Sequence, residues 1–169
     1  MNAIAKPRQV ETEEAPAAVR AHYLETLNKV ERLHRHLLDV IKDELDRKGL
    51  RDVNSVQALL LYNIGDAEMT AGELRTRGHY LGSNVSYNLK KLVEAGYIHH
   101  ARSDLDRRSV RVRLTEKGRE INRTVATLFE RHTLSVEKVG GINAEELESM
   151  NKVLQRLERF WSDQIRFRL

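Results

Sequence analysis

The chain has 169 residues, 40% hydrophobic and 32% charged, which suffices for one domain of ordinary size or two small lobes. Its lack of cysteine excludes disulfides, thiolate zinc sites, iron–sulfur ligation and thiol redox sensing. The net charge of +4 is uneven: residues 75–123 hold 12 Lys or Arg against 5 Asp or Glu, a balance of +7, and the rest of the chain carries −3. A basic middle between mildly acidic ends suits a polyanionic partner.

Residues 1–16 contain both prolines, Pro7 and Pro16, and an acidic run at Glu11, Glu13 and Glu14; they read as a flexible arm. Neither a signal-peptide core nor the roughly 18 apolar residues of a membrane span is present, so a soluble, cytoplasmic protein with no membrane partner is expected. From Ala17 to Lys48, Tyr23, Leu27, Val30, Leu33, Leu37, Ile41 and Leu45 recur every three or four residues and predict a long amphipathic helix stopped near Gly49. At roughly 1.5 Å per residue it spans about 45 Å, which is long for so small a chain.

A second helix is predicted from Asn54 or Ser55 to Ile64, with Gly65 closing it. Thr70-Ala71-Gly72-Glu73 spells a capping box that opens a short helix ending near Arg77-Gly78. GSNVSYNLKKLVEAGY then predicts a helix capped near Ser83, with Val85, Leu89 and Leu92 on one face and a stop at Gly96. Two short helices joined by a glycine-containing link make a helix-turn-helix candidate. Tyr97–Arg102 and Ser109–Leu114 read as paired strands around a turn at 103–108, because Val110, Val112 and Leu114 alternate with Arg111 and Arg113. Thr115 caps a helix with Ile121, Val125, Leu128 and His132 in register, broken at Gly140-Gly141. Asn143, with Glu146 three residues on, opens a last helix bearing Leu147, Met150, Leu154, Leu157 and Trp161 at the spacing of a helix that packs along a partner.

The face of the Ser83–Ala95 helix opposite its apolar stripe carries Ser83, Asn84, Tyr87, Lys90, Lys91 and Glu94. Such a helix fits the major groove of DNA, with Asn, Ser and Lys reaching base edges near its start and lysines further along meeting phosphate. Arg107 and Arg108 at the hairpin tip suit a narrow minor groove, while Arg102, Arg111 and Arg113 along the strands suit phosphates. Asp106 is assigned a wing-stabilising role, pairing with a neighbouring arginine, since a carboxylate facing phosphate repels it. The predicted fold is mainly α with a small β-hairpin (α+β), a winged helix-turn-helix at 51–118 between helical regions at 17–50 and 119–169.

The segment GSNVSYNLKKLVEAGYIHHARSDLDRRSVRVRLTEKG resembles the winged-helix core of the MarR family of bacterial transcription regulators. Matching features are Val85-Ser86, Leu92 to Gly96, Asp106-Arg107-Arg108, and Leu114-Thr115 with Gly118. The resemblance implies DNA contacts from Ser83, Asn84, Ser86, Tyr87 and Lys91, with Arg107 or Arg108 in the minor groove. At Tyr87 the family often has Arg, a departure that suits a phenol contacting phosphate or a thymine methyl. RGHYLGSNVSYNLKKL is also similar to the LdtR-like branch, named for control of an L,D-transpeptidase gene in cell-wall remodelling.

By the same resemblance the terminal helices build a homodimer, through Leu147, Leu154, Leu157, Phe160 and Trp161, that sets two reading helices on a pseudo-palindromic operator of double-stranded DNA. A nucleoid-associated regulator of cell-wall or stress genes is the implied role. A small aromatic or phenolic effector, bound near His34 and Tyr62, is implied as its modulator, with His36 nearby. The histidines otherwise lack chemistry: His34 and His36 diverge on a helix, and His99 and His100 face opposite sides of a strand. With no HxxxH pair, catalytic triad order or phosphate-binding glycine loop, no enzyme activity, metal or cofactor is expected. The alternative reading is a winged helix that coats DNA non-specifically or serves as a protein-interaction module.

Overall fold

The computed structural model describes residues 16–70, 73, 82–102 and 110–167, with backbone alone at 82–85, 100–102 and 110. Helix α1 runs Ala17–Arg47, as its periodicity predicts, and Gly49 beyond it takes φ 71°, a left-handed conformation that costs glycine little. The chain divides after Val40 into two compact units, so α1 belongs partly to each. None of residues 17–40 is buried; Val19, Leu24 and Leu33 are exposed, and pairs such as Lys29 with Glu25 (2.7 Å) lie on its surface.

In the second unit, α2 (Ser55–Ile64) starts at Asn54, whose side chain accepts from the Gln57 N–H (2.9 Å) while the Gln57 side chain accepts from the Asn54 N–H (3.2 Å). This reciprocal cap satisfies two otherwise orphaned donors. Strand β1 (Met69–Thr70), helix α3 (Gly82–Glu94), strands β2 (Ile98–Arg102) and β3 (Val110–Leu114), helix α4 (Glu116–Thr133) and helix α5 (Ala144–Phe167) follow. At Thr70 the expected capping box forms: Glu73 N–H donates to Thr70 Oγ1 (3.1 Å) and Thr70 N–H to Glu73 Oε2 (2.6 Å). The remainder of that predicted short helix, like residues 1–15 of the arm, the expected hairpin turn at 103–108 and Ser109, lies outside the described residues.

The sheet order is β1-β3-β2, all antiparallel, so the predicted hairpin gains a third strand. Met69 pairs with Val112 and Thr70 with Arg111. Two residues are too few to show the alternation by which strands are read. Val112, Leu114 and Ile98 face inward and are at most 3% exposed, whereas Arg113 and His99, opposite each other on the other face, are exposed. α2 packs along α4, where Leu61, Ile64, Ile121, Val125 and Leu128 are each about 1% exposed or less. Burying each such side chain contributes roughly 1.5–3 kcal/mol. Asn122 Nδ2 donates to Leu61 O (3.3 Å), which also accepts from the Gly65 N–H (3.2 Å), and to Tyr62 O (3.2 Å), tying the end of α2 to α4.

Two expectations for α4 need correction. His132, predicted in register with the buried stripe, is exposed, because it sits in the last turn, where a basic side chain in water faces the negative end of the helix dipole. The regular helix also stops at Thr133 rather than at Gly140-Gly141. Hydroxyls interrupt it: Thr133 Oγ1 donates to Glu130 O (2.8 Å) and Ser135 Oγ to Arg131 O (3.2 Å), competing with the backbone ladder. Separate turns continue to Gly141, φ 67°, and α5 opens on the expected Asn143–Glu146 box, both bonds 2.9 Å.

Candidate nucleic-acid interface

Helix α3 is placed by its apolar face. Leu92 (1% exposed) and Leu89 (8%) join the core, which turns Ser86, Tyr87, Lys90 and Lys91 outward. Tyr87 is 62% exposed, a large aromatic surface left in water on a polar face. Lys91 Nζ lies 6.0 Å from the centroid of its ring, and both Lys90 (3.9 Å) and Lys91 (3.6 Å) approach Glu94. Exposed ion pairs of this kind hold their partners weakly, so the lysines exchange a carboxylate for a phosphate at little cost. Ser83 and Asn84 belong to the first turn of α3, of which the backbone alone is described.

The end of α3 is fixed by the first turn of α4. Gly96, φ 76°, reverses the chain, with its N–H bonded to Val93 O (3.0 Å) and the Tyr97 N–H to Leu92 O (2.8 Å). The next three carbonyls are all taken. Lys117 Nζ donates to Ala95 O (3.2 Å), Thr115 Oγ1 to Gly96 O (2.8 Å), and the Thr115 N–H to Tyr97 O (3.0 Å). Gly118 completes the junction: a Cβ there would stand 2.2 Å from Tyr97 O, so any larger residue collides with backbone. Leu114-Thr115 with Gly118 thereby acquires a physical reason. Lys117, whose ammonium also sits 4.2 Å from the centroid of the Tyr97 ring, carries no sequence signal beyond being one lysine among many.

Beside α3 stands the β2–β3 hairpin. Arg111 is half-buried and Arg113 exposed on the outer face of β3, directly opposite Ala101 and His99. Arg107, Arg108 and Asp106 lie outside the described residues, and Arg102 is described in backbone alone. His34 and His36 are exposed on α1, and Tyr62 is half-buried with its ring edge-on to Phe129, centroids 5.0 Å apart. An open cleft of about 530 Å³ lies between the end of α1 and the start of α2, lined by Lys42, Asp46, Arg51 and Asn54 among others; neither His34 nor Tyr62 lines it. On α5 no residue is buried: Leu147, Leu157 and Trp161 are partly covered, while Leu154 and Phe160 are 39% and 49% exposed.

A further functional-looking group that the sequence does not announce is Glu44, 3% exposed on α1, whose Oε2 accepts from Arg131 and Arg47, each at 2.7 Å. The hydrogen bond from Arg131, seconded by the charges of Arg131, Arg47 and Lys48, holds its carboxyl below the usual carboxylate range despite burial. Among the described residues no His, Asp and Glu cluster can hold a metal ion, and no helix is long and apolar enough to cross a membrane.

The order α2, the capped turn at Thr70, α3 and a hairpin locked by β1 is that of a winged helix-turn-helix DNA-binding domain. Residues 53–118 match the family model described as a winged helix DNA-binding domain. The chain is 40% identical over 148 residues, 86% of its length and 74% of the relative's, to the exopolysaccharide II synthesis transcriptional activator ExpG of Rhizobium meliloti (strain 1021). In fold it is similar to AbsC, a MarR family transcriptional regulator from Streptomyces coelicolor (TM-score 0.67, 21% identity, covering 90% of this chain and all of that one). It is also similar to Streptococcus pneumoniae FabT in complex with DNA (TM-score 0.59, 27% identity, 83% and 98% covered). The chain belongs to the MarR family of winged helix-turn-helix transcriptional regulators. Its family and relatives are regulators of transcription, not enzymes.

Proposed function

We propose that this regulator works as a homodimer that reads a pseudo-palindromic operator in the nucleoid, with α3 in the major groove and the hairpin tip in the adjacent minor groove. The exposed face of α3 carries the reading: Tyr87, Lys90 and Lys91 stand in water on the side opposite Leu89 and Leu92. Ser83, Asn84 and Ser86 are the base-reading set; Lys90, Lys91 and Arg111 hold phosphate, and Arg107 or Arg108 enters the minor groove. FabT, at 27% identity, binds DNA with a similar fold, which supports this reading.

The second copy is supported by the terminal helices, since neither residues 17–40 nor α5 buries a single side chain. Leu147, Leu154, Leu157, Phe160 and Trp161 are its contacts, and pairing sets the two α3 helices about 34–36 Å apart, one turn of DNA. A small aromatic or phenolic effector, held near His34 and Tyr62, shifts that spacing by preferring one arrangement of the dimer. ExpG is named for activation of exopolysaccharide synthesis, so genes for cell-envelope polymers are the proposed targets, in line with the likeness to the LdtR-like branch.

Selection of genomic fragments by the purified protein tests this. A specific regulator enriches one palindromic sequence and prefers it over random DNA by at least about a thousandfold at physiological salt. Uniform recovery of fragments would instead identify a coating protein.

A further inference from the structure

We infer that Lys117 is a positioning residue that fixes the docking angle of α3 and so sets how sharply the protein discriminates DNA sequences, without itself touching DNA. The inference rests on the reading of α3 as the base-contacting helix. Three consecutive carbonyls beyond α3 are bonded by the first turn of α4, and the first of these, Ala95 O, is held by Lys117 Nζ at 3.2 Å. The same ammonium lies over the ring of Tyr97, 4.2 Å from its centroid, and Tyr97 is 3% exposed in the core. Lys117 therefore links the exit of α3 to a ring buried in the core. A cation at this place also faces the negative end of the α3 dipole, and attraction to the ring face adds to the hydrogen bond.

Leverage makes this contact matter. α3 has 13 residues, and at 1.5 Å per residue a tilt of about 5° pivoted at Ala95 displaces Ser83 and Asn84 by roughly 1.5 Å. Hydrogen bonds to base edges fail over such a distance, since good geometry spans only about 0.5 Å. Attraction of lysine to phosphate falls off slowly and survives it. A loosened pivot thus costs discrimination and spares general affinity.

The test uses full-length protein, a duplex recovered by wild type from a randomised pool, and a scrambled duplex of equal composition. Lys117→Met is expected to lower the recovered-to-scrambled affinity ratio about tenfold, the loss of roughly one well-made base contact. Affinity for the scrambled duplex and its salt slope stay unchanged. Lys117→Arg, which keeps both the donor and the cation over the ring, restores the ratio. Should Lys117→Met not fold, Lys117→Leu serves with the same expectation, as it too lacks both the donor and the charge. A salt slope smaller by about 0.9 per subunit would make Lys117 a phosphate contact and overturn the inference. Equal loss on both duplexes with a lowered melting temperature would make it a merely structural residue, and an unchanged ratio would remove it altogether. Absence of any preference in wild type would sink the reading of α3 and this inference with it, whereas preference retained in Lys117→Met sinks the inference alone.

Discussion

The winged lobe and the terminal helices solve opposite problems with similar sequences. In the lobe every amphipathic element finds a partner within the chain: α2 against α4, β3 between β1 and β2, and α3 sealed by Leu89 and Leu92. Residues 17–40 and α5 have stripes of equal regularity, yet none of their residues is more than partly covered. Apolar periodicity therefore says that a helix needs a covering surface, not whose surface it is. The lobe is a finished object, and the proposed dimer is what would complete the terminal helices.

That contrast can be broken most forcefully from the lobe side. Ile121→Ala removes a side chain 1% exposed in the α2–α4 seam and is expected to cost about 2–5 kcal/mol in urea unfolding. A cost below 1 kcal/mol would mean the seam is not the core. Next comes Glu44→Gln, which deprives Arg131 and Arg47 of their shared carboxylate. The expected loss near neutral pH is about 1–2 kcal/mol, allowing for solvent screening of the half-exposed arginines. Because folding holds the Glu44 carboxyl below its ordinary range, its contribution is present above the unfolded pKa and is lost as pH falls through the folded one. Wild type and Glu44→Gln should thus begin to converge in stability as pH falls below the ordinary Glu value of about 4.3, read from melts across pH; a gap independent of pH would assign the loss to packing.

From the other side, the pair Leu154→Glu and Leu157→Glu is expected to convert a dimer into single subunits in sedimentation. Hydrogen-exchange protection in the lobe would change by less than about 0.5 kcal/mol. If the lobe melts as well, it is not self-sufficient. The smallest effect belongs to Lys90→Gln, an exposed side chain, which should leave stability untouched and reduce the salt slope of DNA binding by about 0.9 per subunit.

Much of the lobe was legible because its signals are local. Asn54, Thr115 and Asn143 each cap the helix their spelling promises, and alternation at Val112 and Leu114 puts both inside. What stayed hidden depends on residues distant in sequence. Strand β1 exists because Met69 and Thr70 meet Val112 and Arg111, which two residues cannot advertise. Glu44 reads as one more polar position on a long helix until Arg131, 87 residues away, closes over it. The early end of α4 was missed for a different reason: Gly140-Gly141 is the louder stop, but the hydroxyls of Thr133 and Ser135 act first. Of the residues proposed to face DNA, Tyr87, Lys90 and Lys91 are exposed as their face of the helix requires, because the opposite face is spent on Leu89 and Leu92.

Thr70 is the end of one element and the beginning of another: its backbone pairs with Arg111 in the sheet while its hydroxyl receives the Glu73 N–H. One residue therefore counts for both the strand that braces the hairpin and the turn that leads toward α3, with no spacer to absorb a change in length. Insertions should accumulate at 134–143, where turns replace regular helix, and should be purged between 69 and 73, so that the tempo of length variation along the gene records which joint is shared.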